Sequence, residues 1–490
     1  MSAITVGLVL DVHVLGRKVG TLRRLGDEYV FQSEAGVPPE QFVSLAMPVR
    51  MQPWTWPREL HPYFRQNLPE GFLLSIIQED FGRLLDGTDM SVLAVVGSAS
   101  IGRVTMTLQD QAATTPLDEF DVGSVLHGDN THEHFSELVR HHARAAISGA
   151  VPKFLAPEAL AAAEVDALPQ AETAGPGKLS MRTGRYIVKG SDDKAPYLGF
   201  NEFYSMRLIE RVGAFPVAKT IMSDDGRVLL VERFDVDQNG MPMRGVEDLC
   251  GLLGLPPNEK YSPSTEQVVK AARAYFTSNR WSENARRLAW LILATYVVRN
   301  ADCHAKNIAL MYTDASNVEF TPAYDMVTTQ AYPLYAKNPP ALTIDGPRTW
   351  APGGTLSRLF GTRLNIPAKE YGRMVEALCD AAVDTGKEVI TRARERPEWH
   401  AVAKSMVHAW NDGMESLRTV KPDASLRELT SSIDEARFAS SGGRPLKTRA
   451  TPRSASSPRP DRTPPSPPSI SAPRAAAPTG PTASPRRARR

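Results

Sequence analysis

Asp302, Asn307 and Asp325 are the residues of this chain whose types and spacing could do chemistry. The first two stand five positions apart in the run Asn300-Ala-Asp-Cys-His-Ala-Lys-Asn307. Asp325 follows in Thr-Pro-Ala-Tyr-Asp, after a short hairpin-like segment. That order matches what phosphoryl transfer from ATP requires. The first aspartate orients or deprotonates a hydroxyl, while the asparagine and the second aspartate hold magnesium on the phosphates. The Asp-to-Asn spacing equals that of a protein-kinase catalytic loop, although no His-Arg precedes Asp302 and no Phe-Gly follows Asp325. A polar loop between two buried elements would carry similar residues, so the plainer reading stays open.

Such a set needs elements to position it. Ala289 to Val298 is strongly apolar, and Asn284 to Val298 reads as a buried helix delivering the Asp302 loop at its C-terminal end. Arg185-Tyr-Ile-Val-Lys189 reads as a strand ending in a lysine, and Asn201-Glu202 opens a helix that Gly213 stops. A strand lysine paired with a helix glutamate clamps the α and β phosphates in kinases. A surface lysine and a first-turn glutamate favoured by the helix dipole fit the same letters. Val228 to Asp235 is a second strand, at a distance suited to the floor and hinge of a nucleotide cleft. Glu232, Arg233 and Phe234 would offer backbone groups to adenine there, with Phe234 equally suited to the core.

Further toward the N-terminus, residues 3–12 and short segments up to Tyr29 predict a small antiparallel sheet. A helix is expected over about 72–84 and another strand near 101–107. Residues 108–140 read as polar and irregular. Five histidines at 127, 132, 134, 141 and 142 invite a metal reading, but no cysteine joins them and solvated helix-surface histidines fit better. Ser148-Gly-Ala-Val-Pro-Lys153 could form a loop whose N–H groups cover phosphate oxygens, or an ordinary turn. Residues 155–180, rich in Ala, Pro and Gly, read as a surface insertion. Residues 333–365 read as a long loop, followed by helices near 370–383 and 399–417.

The chain has 490 residues, enough for two or three domains. Its three cysteines, Cys250, Cys303 and Cys379, have neither the number nor the spacing of a disulfide framework or zinc site. No apolar stretch approaches a membrane span and the start lacks the pattern of a secretory leader, so a cytoplasmic protein is expected. The formal charge of +2 conceals an asymmetry: residues 441–490 hold 11 basic residues and one acidic residue, Asp461, leaving the first 440 at about −8. With 12 prolines in those last 50 residues, a disordered tail is expected.

Together the motifs resemble the HipA family, serine/threonine kinase toxins of bacterial type II toxin–antitoxin modules. The resemblance rests on Ser148-Gly-x-x-Pro-Lys153, the strand lysine, Asn201-Glu202, Val231-Glu-Arg-Phe-Asp235, Glu247-Asp-Leu-Cys250, Asn300-Ala-Asp-x-His-x-Lys-Asn307 and Thr321-Pro-x-Tyr-Asp325. Asn67-Leu-Pro-Glu-Gly71 and Gly102-Arg-Val-Thr105 extend it to the N-terminal region. It implies an α+β, bilobal protein-kinase-like fold with an additional small N-terminal β-rich domain over 1–115. The kinase N-lobe would span 140–248, a mainly helical C-lobe 249–436 and the tail 437–490.

By the same resemblance Asp302 is the catalytic aspartate, and Asn307 and Asp325 are the magnesium ligands. Lys189 binds ATP, Glu232 to Phe234 form the hinge, and Ser148, Gly149, Ala150, Val151 and Lys153 lie near the phosphates. His304 shapes the catalytic loop and Lys306 is a secondary candidate for offsetting phosphate charge. The implied cofactors are ATP and Mg2+. The implied partners are a small helix-turn-helix antitoxin, operator DNA reached in its complex at the nucleoid, and a host protein substrate such as an aminoacyl-tRNA synthetase. Two departures stand out. Ala146 replaces the first serine of the family's phosphate-side loop, which leaves Ser148 as the candidate for autophosphorylation, and Val151 replaces a glutamine. A small-molecule phosphotransferase and a non-catalytic DNA-bound corepressor are the competing functions.

Overall fold

The computed structural model describes residues 8–82, 85, 87–111, 121–150 and 179–418, with backbone only for 80–81 and 144–150. Five strands open the chain: β1 (Val9–Val14), β2 (Arg17–Leu25), β3 (Glu28–Ser33), β4 (Trp54–Pro57) and β5 (Val104–Leu108). They form an antiparallel sheet in the order β4-β3-β2-β1-β5. Val14 pairs with Arg17 across Leu15-Gly16, both at positive φ, the backbone that a two-residue hairpin of this twist demands. Alternation then buries Leu10, Val12 and Val14 against Phe31, Phe64 and Met106. Helices α1 (Pro62–Arg65), α2 (Gly71–Phe81) and α3 (Asp89–Val96) lie between β4 and β5 in the chain.

Helices α4 (Val122–His127) and α5 (His132–Ala150) occupy the stretch read as irregular from its polarity. The apolar stripe Phe135, Val139 and Ala143 is sparse in sequence but fully used, packing on a second sheet. That sheet contains β6 (Leu179–Arg182), β7 (Tyr186–Gly190), β8 (Thr220–Met222) and β9 (Val228–Glu232), ordered β6-β7-β9-β8. Val188, Val228 and Leu230 face α5, while Leu229 and Val231 face α6 (Leu198–Val212) on the other side. A Cβ on Gly190 would meet the Phe135 ring at 2.2 Å, so glycine there permits this close approach. Helix α6 starts at Leu198, three residues before Asn201, and ends at Gly213 with φ +65°.

The last part is mainly helical. A small sheet of β10 (Gly245–Asp248), β11 (Ala309–Tyr312) and β12 (Val318–Phe320) sits beside it, ordered β10-β11-β12. Glu247 lies in β10. The helices are α7 (Leu249–Leu252), α8 (Thr265–Arg273), α9 (Ser278–Val297), α10 (Gly353–Leu359), α11 (Ala368–Glu395) and α12 (His400–Leu417). The stretch read as a long loop thus holds α10 and a π-turn at Phe360–Leu364. The α11 helix runs twelve residues beyond the expected 383, since Val389, Ile390 and Ala393 continue its buried face. The chain is a mixed α+β fold with an N-terminal sheet region and a helical C-terminal region. The expected disordered tail lies outside the described residues.

Candidate active site

The Asp302 loop is made by a sharp exit from α9. Its C-cap is Val298, and Arg299 then takes φ +55°, turning the chain away from the helix axis. Arg299 is held there by its guanidinium, which donates to the Asp412 carbonyl at 2.7 Å and stacks 4.7 Å from the Trp350 ring. Thr329 ties the next turn, its hydroxyl accepting from Ala301 N–H at 2.8 Å and donating to Arg299 O at 2.9 Å. Asn300 is fully buried and joins two halves of the site. Its Oδ1 accepts from Asp302 N–H at 3.0 Å, and its amide donates to Asp325 O at 3.2 Å.

The β11–β12 hairpin returns the chain to this point and presents Asp325 at φ +57°, a left-handed conformation aspartate tolerates better than most residues. Lys189, on β7, donates from Nζ to Glu202 Oε1 at 2.5 Å and to Asp325 Oδ1 at 2.6 Å. Asn307 donates from its amide to Asp325 Oδ2 and to Asp302 O, both at 2.8 Å. Residues from β7, α6, the α9 exit and the β12 exit therefore form one connected set. Glu202 is buried on the first turns of α6, and Lys189 is only 11% exposed.

With its amide nitrogen occupied twice, Asn307 keeps its carbonyl oxygen free of those bonds. That oxygen and the Asp325 carboxylate are hard donors of the kind magnesium accepts, with phosphate and water completing its shell. The Lys189 ammonium already places a positive charge against Asp325. The residues present fit the ion.

Other expected residues fall elsewhere. His304 is buried, with Nε2 3.9 Å from Asp302 Oδ1, and its N–H donates to Asp302 O at 2.8 Å. Lys306 turns away from this set and pairs with Glu70 of the N-terminal region. Glu232 and Arg233 use their N–H groups on Lys219 O at 2.8 Å and Arg185 O at 2.9 Å. The Arg233 side chain is buried in a fork with Asp235, at 3.1 and 2.7 Å, whose Oδ2 also accepts from Gly102 N–H at 2.7 Å. Phe234 packs toward Tyr324 with ring centroids 5.8 Å apart, and of the three residues it alone makes no backbone hydrogen bond through its N–H among the described residues. Backbone of Ser148, Gly149 and Ala150 ends α5 in helical form, while Val151 and Lys153 lie outside the described residues.

Of the histidines, His127 meets Asp224 at 2.9 Å, and His134 meets the Asp129 carbonyl at 2.9 Å. His142 is a correction to the solvated reading: it is buried, with Nε2 2.7 Å from the Arg182 carbonyl. Among the described residues no three His, Cys, Asp or Glu side chains gather as a group that could hold a metal ion. Sequence reasoning missed Tyr261, whose hydroxyl donates to Asp302 Oδ1 at 2.6 Å. No spacing rule marks it, because it is 41 residues from its partner.

Two family models match the chain. The HipA N-terminal domain covers residues 10–107 and the HipA-like C-terminal domain covers 145–386. The chain has the domain architecture of the HipA family. Its fold is accordingly protein-kinase-like. Two candidate kinases of Sinorhizobium fredii are similar to it. Y4mE is 29% identical over 66% of this chain and 78% of the relative. Y4dM is 24% identical over 81% and 93%. Among solved structures, the Shewanella oneidensis HipA of a HipA, HipB and operator DNA complex superposes with a TM-score of 0.50 at 19% identity. It covers 88% of this chain and 96% of that one. No helix of the described residues is long and apolar enough to cross a membrane.

Proposed function

We propose that this HipA-family chain is an ATP- and magnesium-dependent serine/threonine protein kinase, the toxin of a toxin–antitoxin module. The observation that carries the reading is Lys189, held between Glu202 and Asp325 while Asn307 links Asp325 to Asp302. Asp302 would orient the acceptor hydroxyl and take its proton as the oxygen attacks phosphorus. Lys189 would keep Glu202 and turn from Asp325 onto the α and β phosphates. Asn307 and Asp325 would hold magnesium, which supplies charge neutralisation on the phosphates. The hinge would run through the Phe234 backbone, since Glu232 and Arg233 N–H groups are engaged within the protein.

The Shewanella complex of HipA, HipB and operator DNA supports an antitoxin and operator DNA as partners; that the antitoxin is a small helix-turn-helix protein and that the chain is cytoplasmic and nucleoid-associated in its complex belong to the same proposal. A host translation protein, such as an aminoacyl-tRNA synthetase, is the proposed substrate. Labelled ATP added to a cell lysate should mark protein, and Asp302→Asn should reduce the signal by about a hundredfold or more while keeping the fold. Transfer only to small metabolites would favour a small-molecule phosphotransferase, and no transfer a corepressor without catalysis.

Ser148 is the proposed autophosphorylation site, because Ala146 has no hydroxyl. Added negative charge there would repel ATP. Mass spectrometry after incubation with ATP should find phosphate on Ser148; modification confined to residues outside 140–153 would remove it.

A further inference from the structure

The Asn67-Leu-Pro-Glu-Gly71 segment takes no part in the phosphate-side set, yet it reaches the catalytic loop. Glu70 is the N-cap of α2, on extended backbone between Pro69 and a Gly71 at φ +56°. Its Oε1 receives the Lys306 ammonium, and its Oε2 receives that of Lys260 at 3.0 Å. The lysine side chains are 16% and 13% exposed, and that of Glu70 is 44% exposed. Burial opposes its ionisation, but the two ammonium groups hold its carboxyl down at about 2. Glu70 is therefore charged throughout the range in which an enzyme works.

Lys260 and its neighbour close the other side of the loop. The Lys260 carbonyl accepts from Ala305 N–H at 3.1 Å. The Tyr261 hydroxyl donates to Asp302 Oδ1 at 2.6 Å, and its ring meets His304 edge-on with centroids 4.9 Å apart. Arg348 in turn donates to the Tyr261 carbonyl at 2.6 Å. One carboxylate thus grips both the loop, through Lys306, and the segment that clamps the loop, through Lys260.

We propose that Glu70 is a positioning residue for Asp302, by which the N-terminal domain holds the catalytic loop in its reactive arrangement. This rests on the kinase reading of Asp302. Tyr261 on Oδ1 orients the carboxylate so that Oδ2 is directed to the acceptor hydroxyl, a placement whose loss is expensive in rate even when binding survives. Solvent screens the half-exposed Glu70, so its contribution is geometric more than Coulombic.

The test combines Glu70→Gln, Glu70→Asp and Tyr261→Phe with two readouts, phosphotransfer kinetics and hydrogen exchange at the Ala305 amide. Glu70→Gln and Tyr261→Phe should each lower kcat by about tenfold, with KM for ATP within about twofold, and their effects should not multiply when combined. Glu70→Asp should recover part of the loss. Ala305 exchange should quicken by about tenfold in Glu70→Gln. An unchanged kcat or an unchanged Ala305 amide in Glu70→Gln, with Asp302→Asn inactive, overturns the inference and leaves the kinase reading intact. If the Glu70 variants do not fold, full activity of Tyr261→Phe overturns it instead. A wild-type chain without transfer whose Ala305 amide still responds to Glu70→Gln overturns the kinase reading and the positioning role with it, and leaves Glu70 a structural contact.

Discussion

Beside β7, Glu202 and Asp325 share the ammonium of Lys189, whereas on β10 Glu247 is held by neutral donors. Ser44 hydroxyl donates to its Oε2 at 2.6 Å, while Leu45 N–H and Tyr312 hydroxyl donate to Oε1 at 2.7 and 2.6 Å. Ser44 and Leu45 come from the N-terminal region, and Glu247 and Tyr312 from β10 and β11. This second set joins domains. The Arg103 guanidinium beside it stacks over Phe42 and Tyr312, 4.4 and 5.0 Å from their centroids, and donates to Phe42 O and Thr313 O. The two regions use their carboxylates for different ends. A lysine is a point charge on a flexible stem and can exchange one anion for another, which suits the proposed admission of phosphate and metal. Neutral donors from fixed backbone and packed aromatic rings cannot leave without opening the interface.

Burial consequently wins at Glu247, where it outweighs the three donors and pushes the carboxyl up to about 7. Asp248 beside it is pushed up to about 6, again chiefly by burial, with Lys306 pulling the other way.

The largest effect should come from Asp325→Ala, which removes both a proposed metal ligand and one partner of Lys189. Magnesium-dependent ATP affinity by calorimetry should fall by about a hundredfold or more. Unchanged affinity would mean that the lysine pair is structural, as the Glu247 set is, and the contrast would fail.

Glu247→Gln probes the other region through pH. The folded carboxyl titrates near 7 and the unfolded one near 4.5, so between those values the folded state holds the extra proton. Stability from this group therefore falls as pH rises through that window, by on the order of 3 kcal/mol. Glutamine cannot ionise and can keep all three contacts, so denaturation curves of the variant should be flatter from pH 4.5 to 7. Asp248 remains in both proteins and adds the same slope to each. Parallel pH profiles for wild type and variant would show that Glu247 is ionised in the fold.

Deleting 441–490 should have the smallest effect, leaving ATP affinity and the pH profile of stability unmoved. With 11 basic residues and one acidic residue, the tail should add non-specific affinity for DNA in the proposed antitoxin complex. Its loss should flatten the salt dependence of that binding; equal salt slopes would make the tail a passive extension.

Much of the candidate site was legible in the chain because its members sit at element ends that periodicity locates. The apolar run of α9 points to the Asp302 loop, and Asp302 and Asn307 share one local turn. The alternation of β7 likewise places Lys189. Polarity misled the reading of 108–140, where one sparse apolar stripe suffices for α5 once a sheet lies against it. Proline and glycine misled it at 333–365, where α10 forms against a core.

What tertiary structure alone decided is who meets whom. Glu70 meets Lys260 and Lys306 across 190 and 236 residues, Ser44 meets Glu247 across 203, and Tyr261 finds Asp302 across 41. Periodicity reports which face of an element is buried, so it locates a helix or a strand. A hydrogen bond between two elements depends on how they pack, and that arrangement leaves no repeat along the chain for a local rule to find.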